Sequence, residues 1–245
     1  MCWRGHSGVY KRDLEQWYFR ITTYADQLLA GLEAIDWPEN IKALQRNWID
    51  RSEGVEFALA VAGGIESIRV YTTRPDTVCG ITFVALAPEH PLLDAITTSG
   101  QRAAVEACRQ QAARRSDVDR QRADIAGDGV WTGAYAVNPL LGGSAAAERA
   151  DPDARVLVCV ADYVLSGHGG GAIMGVPAHD VRDFAFACRL GIPLKVVVAP
   201  PGWQGDDLSA AFAGPGRIVN SGRWDGLPSA EAAQQIAAWL EEHAR

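Results

Sequence analysis

Apolar residues recur at intervals of three and four at Leu14, Trp17, Tyr18, Ile21, Tyr24, Ala25, Leu28 and Leu32, which predicts one amphipathic helix over about 12–33. Asp36-Trp37-Pro38-Glu39 opens a second helix, with proline in the first turn and Ile41, Leu44 and Trp48 on one face. After Arg51-Ser52-Glu53-Gly54 the period changes. Residues 55–61 and 65–72 are strand-like, with Gly63-Gly64 between them as a hairpin signal. A domain boundary near residue 50 follows, dividing a helical segment, 1–50, from a sheet-based domain, 51–245. Within the latter, 78–86, 130–137, 156–165, 173–176 and 194–199 read as further strands. The runs 156–165 and 194–199 are almost wholly apolar and so are expected to be buried on both faces. Helices are expected from Ser99 to about Arg114, from Asp180 to Leu190 with Gly191 ending it, and from Ser229 with Ala233, Ile236, Ala237 and Leu240 inward. The fold class is mixed α/β (α+β), with a sheet or barrel core.

Composition narrows the picture. Within 245 residues, 48% hydrophobic and 22% charged, there is material for a sizeable core, and no internal repeat is apparent. No apolar run approaches the roughly 20 residues needed to span a bilayer, and Met1-Cys2-Trp3-Arg4-Gly5-His6 lacks the apolar region of a signal peptide, so a cytoplasmic location is expected. The five cysteines, Cys2, Cys79, Cys108, Cys159 and Cys188, are odd in number and widely spaced, which argues against a disulfide framework or a zinc site. A formal charge of −7 argues against nonspecific nucleic-acid binding while leaving a local basic patch open.

Two stretches carry candidate chemistry. In Gly169-Gly170-Gly171-Ala172-Ile173-Met174-Gly175-Val176-Pro177-Ala178-His179-Asp180-Val181-Arg182-Asp183-Phe184, glycines precede a short strand that leads into a helix N-terminus. Free backbone N–H groups and the helix dipole favour oxygens and negative charge there. Asp180 and Asp183 have the spacing of an N-cap and N3 pair, so a purely structural capping role competes with a binding role. His179 has no Cys or His partner at metal spacing, and no metal is expected. The second stretch, Thr72-Thr73-Arg74-Pro75-Asp76-Thr77, is a polar turn of three hydroxyls, a guanidinium and a carboxylate, a composition that ordinary turns also use.

Taken with Arg12-Asp13-Leu14-Glu15-Gln16-Trp17, Gln45-Arg46-Asn47-Trp48-Ile49, Arg51-Ser52-Glu53-Gly54, Ala87-Pro88-Glu89-His90-Pro91 and Gly133-Ala134-Tyr135, these two stretches make residues 10–240 resemble bacterial-type leucyl-tRNA synthetases. Neither the His-Ile-Gly-His-like turn nor the Lys-Met-Ser-Lys-Ser-like loop of that family's nucleotide-binding domain occurs in the 245 residues. What remains resembles the inserted connective-peptide editing domain, 51–245, a β-barrel-like unit ringed by helices, preceded over 1–50 by a stem segment from the synthetase body.

The resemblance implies hydrolysis of the ester joining isoleucine, norvaline or methionine to leucine tRNA. Such editing is needed because an apolar synthetic pocket separates side chains differing by a methylene only about 10–200-fold. It further implies that Asp183 pairs with the substrate α-ammonium, that Thr72 and Thr73 bind the terminal adenosine, and that Thr77 shapes the side-chain pocket. Met174 and Val176 would line that pocket with their backbone groups available to the ribose and carbonyl. Arg74 and Asp76 would hold the turn, and His168, His179 and Asp180 would lie at the substrate. No nucleophile with an adjacent base is evident, so direct attack by water without a covalent intermediate is expected. The expected partners are the acceptor end of leucine tRNA and the remainder of the synthetase, with no membrane; no cofactor is expected for editing, ATP belonging to the missing synthetic domain. The alternative is a module that docks tRNA acceptor ends without cleaving them and is inactive outside the full synthetase. Departures from the family pattern are His168 for tyrosine, Gly170 for threonine, Cys79 for phenylalanine and Asp50 for glycine; the first two bear on substrate range.

Overall fold

The computed structural model describes Gly5 and residues 14–49, 51–63, 66–121, 128–141, 152–167, 169–206 and 208–244. The chain separates into two compact units, Met1–Ser52 and Glu53–Arg245.

The first unit contains a 3-10 turn, Ile21–Tyr24, followed by α1 (Ala25–Ala34) and α2 (Glu39–Ile49). The single helix expected over 12–33 therefore begins only at the turn. Trp17, Tyr18 and Phe19 are exposed, and without burial an aromatic run recovers none of the side-chain entropy a helix would cost it. Ile41, Leu44 and Trp48 of α2 are also exposed, so the expected apolar face carries no cover.

The second unit is built on β1 (Val55–Val61), β2 (Ser67–Thr72), β3 (Phe83–Leu86), β4 (Gly129–Val137), β5 (Arg155–Ala161) and β6 (Ala172–Gly175), in the order β2-β1-β4-β5-β3-β6. The β3–β5 pair is parallel and the others are antiparallel. The two ends of this order, β2 and β6, come into contact with no ladder between them among the described residues, so the sheet curls into a barrel-like form. Around it lie α3 (Leu93–Ile96), α4 (Arg102–Ala113), α5 (Asp117–Gln121), α6 (Val181–Leu190) and α7 (Ser229–His243), with a small second sheet of β7 (Val198–Ala199) and β8 (Arg217–Ile218). Helix α7 packs against β1 and against the turn at Pro75–Gly80, burying Ala232, Ile236 and Leu240.

Several element boundaries differ from those the pattern predicts, each for an identifiable reason. Residues 78–86 are not one strand, because Pro75 starts a buried 3-10 turn through Gly80 and β3 begins only at Phe83. Strand β5 stops at Ala161 rather than 165, since the chain turns where Asp162 and Val164 are gripped by α5. Residues 194–199 supply only two ladder residues, Val198 and Ala199, and the N–H groups of Val197 and Val198 both donate to the His179 ring, at 3.0 and 3.2 Å. Helix α4 starts at Arg102 after Gln101 rather than from a Ser99 cap, and α7 has Ser229 as its first residue, its hydroxyl accepting from Gly216 N. Helix α6 fits the expected signals closely: Asp180 caps it through Arg182 N and Asp183 N, and Gly191 ends it at φ 66°.

Asn138 ties the end of β4 to the turn that leads into β3. Its Nδ2 donates to Val78 O at 2.7 Å, its Oδ1 accepts from Leu140 N at 3.0 Å, and the side chain is fully buried. Asn138→Ala leaves Val78 O with only the Ile81 N–H, 3.2 Å away, and strips Leu140 N of its acceptor; it should cost about 1–3 kcal/mol, lowering the melting temperature by roughly 2–10 °C. An unchanged thermal melt followed by circular dichroism would show that this bond carries no weight.

Candidate functional site

The polar turn after β2 is held by its own residues. Thr72 Oγ1 accepts from Arg74 N at 2.9 Å, and the Arg74 guanidinium meets Asp76 in a two-point pair, Nε to Oδ1 at 3.0 Å and Nη2 to Oδ2 at 2.7 Å. Pro75 sets the first residue of the 3-10 turn, and both the N–H and the hydroxyl of Thr77 donate to Arg74 O, at 3.1 and 2.9 Å. The Thr77 hydroxyl bond and its branched Cβ leave χ1 one well, and the residue is only 1% exposed. Thr72 and Asp76 are buried and Thr73 is exposed.

The second stretch begins with Gly170 and Gly171 at φ 71° and 75°, left-handed backbone that glycine adopts without a Cβ clash. Strand β6 then carries Met174 opposite Val84 on β3. At its end Val176 N donates to Asp183 Oδ2 at 2.8 Å, while Val176 O accepts from His179 N and Asp180 N. Val176 therefore has no backbone group left for a ribose or carbonyl, contrary to expectation. Asp183 is 4% exposed, and no other donor reaches its carboxylate among the described residues. Burial, reinforced by the negative charge of Asp180 and opposed by the Val176 N–H and by Arg182, pushes its carboxyl up to about 7.

The two capping acids thus have separate tasks. Asp180 is the exposed N-cap. Asp183, whose backbone N–H takes that cap, sends its side chain to the strand end and not back to Asp180, so it is no capping-box partner.

His179 is expected at the substrate, but the structure gives it another role. Its Nδ1 lies 3.0 Å from Phe212 O, an acceptor, and its Nε2 accepts from Val197 N and Val198 N. Nδ1 therefore bears the proton, both nitrogens are engaged, and burial lowers the pKa so that the ring stays neutral. The segment at 212–213 also joins the two stretches: Phe212 N donates to Ala178 O at 2.8 Å, and Arg74 Nη1 donates to Ala213 O at 2.9 Å. This strap acts through main-chain atoms, so no side-chain signal marks it in sequence. Tyr163, also unmarked, is buried beside the first turn of α6, and that burial, reinforced by the negative charge of Asp183 and Asp180, holds its phenol well above the ordinary range. His168 lies outside the described residues.

No cluster of three or more potential metal ligands occurs among the described residues, and no helix there is long and apolar enough to cross a membrane.

The family model for the leucyl-tRNA synthetase editing domain matches residues 46–241, which include both stretches. The chain belongs to the leucyl-tRNA synthetase editing-domain family. It is 50% identical over 98% of its length to the leucine–tRNA ligase of Rubrobacter xylanophilus, of which it covers 28%. It is 46% identical to that of a Synechococcus strain, JA-3-3Ab, over 98% of this chain and 27% of the relative. The chain thus spans little more than a quarter of these relatives. A leucyl-tRNA synthetase of Agrobacterium radiobacter K84, solved in a ternary complex with tRNA and LeuAMS, superposes with a TM-score of 0.66 at 36% identity, over 98% of this chain and 25% of that one.

The Asp183 environment predicts a specific linkage. A carboxyl raised from 3.8 to about 7 binds its proton more tightly in the folded state, so its contribution to stability is present at low pH and declines as pH rises from about 4 to about 7. Asp183→Asn keeps an acceptor for Val176 N and removes the buried charge. At pH 8 the variant should melt above the wild type, by on the order of 5 °C, with the difference vanishing near pH 4. A variant that melts below the wild type at pH 8 would mean the carboxylate is stabilised by contacts beyond that one bond.

Proposed function

We propose that this chain hydrolyses the ester between a non-cognate amino acid and the terminal ribose of leucine tRNA, as the proofreading part of a leucine–tRNA ligase. The observation that carries this reading is Asp183, a buried carboxylate anchored by one N–H, at a strand end joined through the 212–213 strap to the Thr72–Thr77 turn. An acid kept poor in partners is suited to receive a cation, and the α-ammonium of an aminoacyl ester is one. Ionised Asp183 holds it, and so fixes the ester carbonyl relative to the turn.

Direct attack by water fits the available groups. The thiols of Cys79 and Cys159 are pushed by burial to about 11 and about 12, far from thiolate nucleophiles. His179, with both ring nitrogens engaged by the backbone, is no general base. Thr72 and Thr73 are assigned to the terminal adenosine, and Met174 to the wall of the amino-acid pocket. Arg74 and Asp76 act by holding the turn. No cofactor is required; the ATP chemistry of the longer relatives belongs outside these residues. The partners are the tRNA acceptor end and the rest of a synthetase, a reading supported by the exposed Trp17, Phe19 and Trp48 of the first unit.

Thr77 is assigned as the gate against leucine. Its Oγ1 is tied to Arg74 O, so its methyl group is fixed, and leucine differs from isoleucine and norvaline in its branch at Cγ. A misfit of that kind costs about 1–3 kcal/mol, and an ester displaced by about 1 Å loses roughly 100-fold in rate. Purified chain is therefore mixed with preformed isoleucyl- and leucyl-tRNA. Wild type should cleave the first and spare the second, Thr77→Ala should cleave both, and Thr77→Val, which keeps the shape but not the hydroxyl, should spare leucyl-tRNA. An unchanged leucyl-to-isoleucyl ratio in Thr77→Ala would remove the gate, and no cleavage of isoleucyl-tRNA by wild type would favour a non-hydrolytic docking module. Leucine-dependent pyrophosphate exchange with ATP should be absent, and its detection would overturn the domain assignment.

A further inference from the structure

The side chain of Arg120 is 2% exposed, and the residue lies on the short helix α5 among none of the groups assigned to the substrate. Its Nε donates to Asp162 O and its Nη2 to Val164 O at 2.8 Å, so one guanidinium grips both carbonyls that flank Tyr163. Its Nη1 donates to Glu89 Oε1 at 2.8 Å. Glu89 follows closely on Ala87, whose N–H donates to Gly171 O at 2.8 Å in the glycine turn before β6. The fork therefore joins two loops that border the site. Asp162 is further pinned by Asp128 N, 2.7 Å from its Oδ1, and by Arg115 at its Oδ2.

The ring of Tyr163, held between those two carbonyls, packs edge-on against Phe186 with centroids 5.5 Å apart, and the Arg182 guanidinium lies 5.7 Å from its centre. Arg182 and Phe186 flank Asp183 on α6. The Tyr163 hydroxyl is buried with no hydrogen-bond partner among the described residues, so no hydrogen bond of its own fixes the ring there, and its place depends on the backbone clamp and on packing.

We infer that Arg120 is a positioning residue for ester hydrolysis: by clamping the 162–164 turn to the Glu89 loop it seats the Tyr163 ring against α6, and so sets where the Asp183 carboxylate stands. This rests on the hydrolytic reading of the site. Lysine cannot substitute, because an ammonium is a point charge without the planar fork that reaches two carbonyls and a carboxylate together.

The test measures deacylation of preformed isoleucyl-tRNA by wild type, Arg120→Lys, Tyr163→Leu and the double variant, each well below its melting temperature. Misplacement of the ester should lower kcat about 10–100-fold in Arg120→Lys while KM stays within about twofold, since the adenosine contacts assigned to Thr72 and Thr73 are left in place. Tyr163→Leu should behave alike, and the double variant should fall no further than the worse single one, because both act through the same ring. Losses that multiply, a change confined to KM, or a kcat that merely follows the folded fraction would overturn the inference. Should Arg120→Lys not fold, Tyr163→Leu carries the test alone: kcat falls with KM unchanged, or the inference fails. A wild type that leaves the ester intact removes the hydrolytic reading and this inference with it, whereas an active wild type with unimpaired variants removes only the positioning role.

Discussion

A carboxylate in a dry place needs a reason to stay charged, and Asp183 has little of one within its own fold. Among the described residues one N–H, from Val176, reaches it, while burial and the neighbouring Asp180 both oppose ionisation. The architecture around it is consistent with keeping that oxygen unspent. Asp180 takes over the helix cap, which frees the Asp183 side chain from α6, and the end of β6 presents the single donor. The fold thus accepts a charge that costs stability, and an incoming cation relieves that cost.

The neighbouring polar groups are, by contrast, saturated. Arg74 and Asp76 satisfy one another, the Thr77 hydroxyl is bound to Arg74 O, and the His179 ring takes three backbone partners. A saturated group is a poor base or nucleophile but a good strut. The catalytic contribution of such a site is therefore geometric and electrostatic: it holds an ester where water attacks it, rather than attacking it with a side chain.

The helix signals were legible because they are local. Asp180, the stripe of α6 and Gly191 mark that helix without reference to the rest of the chain. Strands 55–61 and 65–72 were equally plain from their period, the second seen over Ser67–Thr72. Where the pattern and the fold differ, some causes are local, as where Pro75 opens a 3-10 turn ahead of β3, and others are long-range, as where β5 ends at the carbonyls that Arg120, some 40 positions earlier in the chain, takes from Asp162 and Val164. The site divides in the same way. Its two motif stretches were visible as residue types, whereas the 212–213 strap works through main-chain atoms and Tyr163 has an ordinary core composition around it. His179 likewise carries no distinguishing signal in sequence, because its ring is engaged through the main chain of residues 197, 198 and 212.

The most direct test of the account is the pH dependence of single-turnover isoleucyl-tRNA deacylation at subsaturating protein, where the rate follows the groups of the free protein, corrected for spontaneous hydrolysis. If Asp183 must be ionised to hold the substrate, the enzymatic rate rises with pH and bends near the carboxyl value of about 7. The bend should be absent from the residual rate of Asp183→Asn. An enzymatic rate that is flat from about pH 5 to 8 in the wild type would contradict the central role of that buried carboxylate.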